Sequence, residues 1–107
     1  MDTKYGMEVN KENFYSYLIT LKNKIYKLLP LREEKLEWRK YLETILIEIS
    51  GLNKLFNNTV NLISLLSKLE GLVDLEEFVL YRKTIFECLN IVENISRELL
   101  WLILMIY

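Results

Sequence analysis

The chain has 107 residues, of which 51% are hydrophobic and 27% charged, and its formal net charge is −1. That length suits one domain, and so apolar a composition with only three glycines and one proline excludes a disordered chain. A balance this close to neutral supplies no global field for a polyanion, so nucleic acid is not an expected partner.

Helical periodicity runs through most of the sequence. Asn10 followed by Lys-Glu-Asn reads as a helix start, since an asparagine side chain can accept from the unpaired amides of a first turn. Phe14, Leu18, Leu21, Ile25 and Leu28 recur at alternating four- and three-residue steps and share one face. The first helix is expected to end near Leu29, because proline disfavours helical geometry in the residue before it. Pro30 then fits the first turn of a second helix from Leu31 to about Phe56, with Glu33, Glu34 and Glu37 near its positive end. Trp38, Leu42, Ile45, Ile49, Leu52 and Phe56 carry its stripe across Gly51, which is read as tolerated within the helix, the alternative being a break there.

Asn57-Asn58-Thr59 is a turn signal ending in a capping residue. A short third helix is expected from Thr59 to Glu70, with Leu62, Leu65, Leu66 and Leu69 inward and Gly71 as its stop. Asp74 and Glu77 have the spacing of a reciprocal cap. From there one heptad series takes in Phe78, Ile85, Val92, Leu99 and Ile106, and another Tyr81, Cys88, Ile95 and Leu102, the longest helical signal in the chain. The expected fold is all-α: an antiparallel bundle of four helices, three long and one short, with a long C-terminal helix, in a single domain spanning 1–107 of which 1–9 are expected to form a flexible N-terminal segment.

The residue types present exclude most catalytic chemistry. Histidine is absent and cysteine occurs once, so neither Ser/His/Asp nor Cys/His nucleophile arrangements can be built, nor zinc sites of the finger or ribbon kind. Gly6, Gly51 and Gly71 are too dispersed to cradle a phosphate. Paired carboxylates remain, but the di-iron bundle motif needs Glu-x-x-His pairs. Glu33, Glu34, Glu37, Glu43, Glu76 and Glu77 therefore read as solvated helix faces, and Glu43 and Glu48 would be the first places to look for a metal. No enzyme activity, metal or cofactor is expected. Cys88 sits on an inward heptad position and reads as a small buried hydrophobe. A lone cysteine permits no internal disulfide, and Met1 to Val9 hold no apolar core of a secretory signal, so a cytoplasmic location is expected. Alanine and glutamine are also missing while Lys, Asn, Ile and Tyr abound, a bias that points to a low-GC bacterium or its phage.

Two segments could meet a partner. Between Lys22 and Tyr41 the residues Lys24, Lys27, Arg32, Lys35, Arg39 and Lys40 outnumber the acids and are interleaved with Trp38 and Tyr41, which marks an end of the first hairpin that could hold an acidic protein surface or a small anion. The last residues are apolar on every side of a helix, which makes Leu99, Leu100, Trp101, Ile103, Leu104, Met105 and Tyr107 candidates for an oligomer interface. They are too few for a membrane span of about 20 residues. The leading functional expectation is a non-catalytic protein–protein interaction module, homo-oligomeric or bound to another protein, acting as an adaptor, accessory subunit or inhibitor, for example in counter-defence. One alternative is a bacteriocin-immunity-like bundle at a membrane surface, to which this chain is similar in size and helical pattern but in no matched residue. The other is a binder or sponge of a small anionic ligand such as a nucleotide.

Overall fold

The periodic apolar positions become the inward stripes of four helices in the computed structural model, which describes residues 11–55 and 60–106, and side chains within 13–54 and 60–98. The elements are α1 (Lys11–Glu33), α2 (Trp38–Leu55), α3 (Val60–Gly71), a 3-10 turn (Leu72–Asp74) and α4 (Phe78–Ile106), and no strand occurs among the described residues. Leu18, Leu21, Ile25 and Leu28 of α1 are fully enclosed with Leu42, Ile45 and Ile49 of α2, Leu65 and Leu69 of α3, and Tyr81, Ile85, Cys88 and Val92 of α4. Burying each of the leucines and isoleucines contributes about 1.5–3 kcal/mol relative to leaving it in water.

Helix α1 packs on both α2 and α4, and α3 packs on the same two, so the helices follow one another around the bundle in chain order. The α1–α4 interface, between the first and last helices, is the most extensive. Residue pairs give the directions. Leu28 meets Tyr81 while Lys22 meets Glu93, and Lys27 meets Tyr41 while Lys24 meets Glu48, so α1 is antiparallel to both neighbours. At about 1.5 Å per residue α4 is roughly 43 Å long, α1 about 35 Å and α2 about 27 Å.

The junction between α1 and α2 differs from the sequence expectation. Pro30 does not end the first helix but lies inside its last turns, and the second helix starts at Trp38 instead of Leu31. Proline withholds an N–H from the Tyr26 carbonyl, yet both residues are exposed, so the gap opens toward water. Continuing the helix keeps Leu28 and Leu29 buried and brings Arg32 against the rings described below, which offsets the local penalty. The helix then stops in a Schellman turn: the Lys35 N–H donates to the Arg32 carbonyl at 3.0 Å and the Leu36 N–H to the Leu31 carbonyl at 2.8 Å. Lys35 takes the left-handed conformation, φ 59°, that this turn requires and that glycine normally supplies. Glu33 and Glu34 consequently sit at the negative end of α1, and only Glu37 stands at the start of α2.

The α3–α4 connection also departs from expectation. Gly71 is right-handed, φ −64° and ψ −20°, and leads into the 3-10 turn instead of stopping the chain in a left-handed cap. Leu72, fully buried, pins that turn to the core. Asp74 is thereby held within the turn, and Glu77 occupies the cap position of α4, its carbonyl accepting from the Tyr81 N–H at 3.0 Å, so no reciprocal box forms. Gly51 does lie within a continuous α2, and a Cβ built there meets nothing within 4 Å. The expected start at Asn10 and the turn at 57–59 fall outside the described residues.

Two substitutions check these backbone assignments by thermal or denaturant unfolding. Lys35→Gly should raise stability by about 1 kcal/mol, because it removes a side chain from a left-handed position. Gly51→Ala should raise it by about 0.5–1 kcal/mol, the mid-helix propensity difference, and a fall would mean that this face is packed in solution.

Candidate docking surface

At the hairpin end of the bundle an aromatic and guanidinium cluster joins three helices. Trp38 is only 7% exposed and meets Tyr81 edge to face, with ring centroids 5.2 Å apart and an interplanar angle of 76°. The Arg32 guanidinium lies 4.3 Å from the Tyr81 ring centre and 5.0 Å from that of Trp38. Its Nη2 donates to the Glu76 carbonyl at 2.8 Å, while the buried Nη1 has no hydrogen-bond acceptor. The electron-rich ring faces take the place of one. Tyr81 is fixed in turn by donating its hydroxyl to the Leu28 carbonyl at 3.2 Å and by stacking on Phe78. Burial pushes the Tyr81 phenol up to about 12 against the opposing pull of Arg32.

This arrangement disperses the basic stretch of the sequence. Lys24 is paired with Glu48 at 3.2 Å, and the Tyr17 hydroxyl donates to the same carboxylate at 2.6 Å. Burial first, and then the Glu48 hydrogen bond, hold the Tyr17 phenol well above its ordinary range. Lys27 lies over the Tyr41 ring, 5.3 Å from its centre, and Arg39 over the Trp38 ring, 4.5 Å from its centre. Lys35 occupies the turn, and Lys40 is exposed beside Arg39 on α2. The Arg32–Glu76 bond draws the start of α4 to the same end, so Asp74, Glu76 and Glu77 join Glu33, Glu34 and Glu37 there and the end carries both signs of charge. Of the two carboxylates singled out for a metal, Glu48 is engaged as described and Glu43 is exposed, and no metal-holding group of acids or cysteine occurs among the described residues.

Beside this cluster, α1 and α4 part to form a groove of about 740 Å³ lined by Tyr26, Leu29, Pro30, Glu33, Phe78, Val79, Arg82, Lys83 and Phe86. Val79 is 76% exposed, Tyr26 52% and Phe86 41%, and the two rings touch edge to face at 6.5 Å across the groove. Arg82 lies over the Phe86 ring at 5.3 Å. None of Glu33, Arg82 and Lys83 has an ion-pair partner among the described residues. Further along, Lys22 and Glu93 join the two helices at 2.5 Å, with Arg97 also 3.4 Å from Glu93. The hydrogen bond and charge of Lys22 hold the Glu93 carboxyl below the usual carboxylate range.

The groove was not among the sequence candidates. Its signal was a second stripe on α4, Val79, Arg82 and Phe86, one step round the helix from the core line of Tyr81, Ile85 and Cys88. The tail candidates Leu99, Leu100, Trp101, Ile103, Leu104, Met105 and Tyr107 lie outside the described side chains, although the α4 backbone is helical through Ile106. No described helix is long and apolar enough to cross a membrane. Cys88 is enclosed, and burial raises its thiol to about 12. The chain matches no family model, no curated protein and no solved structure.

The buried thiol and phenol set an alkaline limit. Cys88 rises from 9.0 to about 12 and Tyr81 from 10.0 to about 12, so the folded state binds their protons more tightly than the unfolded one. The stability this contributes is complete below the unfolded values and is lost as pH rises toward the folded ones. The midpoint of thermal unfolding, followed by circular dichroism, should therefore hold up to about pH 9 and fall between about 9 and 12. In Cys88→Ala the fall should begin about one pH unit later, where only tyrosines remain. A midpoint unchanged to pH 11 would contradict the burial of both groups.

Proposed function

We propose that the chain is a non-catalytic protein–protein interaction module that works as a homo-oligomer, in the role of an adaptor, accessory subunit or inhibitor. The observation that carries this reading is the α1–α4 groove, which presents Tyr26, Val79 and Phe86 to solvent beside Glu33, Arg82 and Lys83, charges without an ion-pair partner among the described residues. Exposed apolar surface rimmed by polar groups marks interaction sites, and tyrosine and arginine dominate the energies of protein interfaces. The sequence from Leu99 to Tyr107, an apolar run without a charged residue, supports the same reading.

A small anion is a weaker fit. Lys24 and Lys27 are engaged within the chain, and the hairpin end mixes carboxylates with its cations. A reducing cytoplasm suits a protein whose single thiol is enclosed in its core.

Size-exclusion chromatography with light scattering, run from micromolar to submillimolar concentration, tests the reading together with affinity capture of bound proteins. A discrete oligomer or a stoichiometric partner is expected. A monomer throughout that captures nothing would end it.

A further inference from the structure

We propose that the α1–α4 groove is the seat of a second copy of this chain, docked about a two-fold axis parallel to the helices. The proposal rests on the interaction-module reading and names its surface and partner. The two walls of the groove differ in sign. Helix α1 contributes Glu33, whereas α4 contributes Arg82 and Lys83, and none of the three finds an opposite charge within its own chain among the described residues. A uniformly acidic partner would leave Glu33 facing like charge, and a basic one would face Arg82 and Lys83. A surface with one anionic and one cationic wall is complementary to its own image, as a two-fold interface requires.

The direction of the axis follows from the same charges. Because α1 and α4 are antiparallel, an axis along the groove lays the α1 wall of each copy against the α4 wall of the other. Each Glu33 then comes to the end of the groove that holds the other copy's Arg82 and Lys83, twice over. An axis across the groove would set α1 on α1 and α4 on α4, so that neither Glu33 would face the cationic wall of the other copy. Along α4, Val79 and the Phe86 of the Tyr26–Phe86 pair flank Arg82 and Lys83 and supply apolar surface of the kind that anchors interfaces. The contact is bounded by the Lys22–Glu93 pair. From Lys22 to Glu33 is about 17 Å of helix, three turns, over which two antiparallel helix pairs can pack.

Charge-swap variants of the full chain, measured by sedimentation equilibrium, test this pairing. Glu33→Lys alone, and Arg82→Glu with Lys83→Glu, should each raise the dimer Kd at least about 10-fold through two symmetry-related repulsions, and the triple variant should return it to within about 3-fold of the parent. Val79→Asp should dissociate the dimer while leaving the far-ultraviolet circular dichroism of a folded bundle, since that side chain is exposed in the monomer. A parent oligomer that ignores the reversals but is broken by Trp101→Asp would overturn the groove assignment and leave the module reading in place. A triple variant that stays dissociated, or a monomeric parent that captures some other protein, would overturn the proposal in the same way. A monomeric parent that captures nothing would remove both.

Discussion

The placement of one guanidinium organises the hairpin end of the bundle. Arg32 leaves the last turn of α1 and is held between the rings of Trp38 from α2 and Tyr81 from α4, while its remaining reach closes on the Glu76 carbonyl. No carboxylate pairs with it among the described residues, and its buried Nη1 relies on ring faces alone. A flat, weakly hydrated cation suits that position, whereas a lysine ammonium would be compact and would keep its water. Everything nearby conforms to this contact: α1 continues past its proline, the turn tightens at Lys35 and the start of α4 is drawn alongside.

The groove is a by-product of the same geometry. Tyr81 anchors α4 to α1 from the inner side, and the Lys22–Glu93 pair joins the two helices further along. Between these fastenings Tyr26 and Phe86 meet edge to face and both stay partly in water, as does Val79. A chain optimised only for its own stability would be expected to carry polar residues at those positions, because nothing within the fold needs them apolar.

The bundle itself was legible from the sequence because burial follows a simple period. The α1 series from Phe14 to Leu28 and the α4 series from Tyr81 to Val92 reappear as core stripes. The helix junctions were less legible because they depend on contacts between distant segments. The rule applied to Pro30 is local, and it yields when four more residues of helix deliver Arg32 to rings that lie on other helices. The left-handed turn at Lys35 carries no glycine or asparagine to announce it. Likewise, the stretch from Lys22 to Tyr41 looks basic along the chain, but the Glu48 and Glu93 carboxylates reach it from other helices and the Glu76 carbonyl from the α3–α4 connection. Charge clusters along one segment omit these cross-helix partners, whose register is set by packing. The groove stripe was written in the sequence but was masked by the stronger core stripe beside it.

The enclosed Cys88 gives this molecule an internal clock. It is the chain's single thiol, in the first half of α4 and packed among core residues from the other helices. A reagent can reach it only while α4 is lifted from its neighbours. Where reclosing is faster than the chemistry, the modification rate is the intrinsic rate for an exposed thiol multiplied by the equilibrium constant for opening. Each tenfold slowing then corresponds to about 1.4 kcal/mol of opening free energy. The native protein thus reports, without denaturant, how firmly its longest helix is held, and any partner that grips α4 from outside would slow that clock.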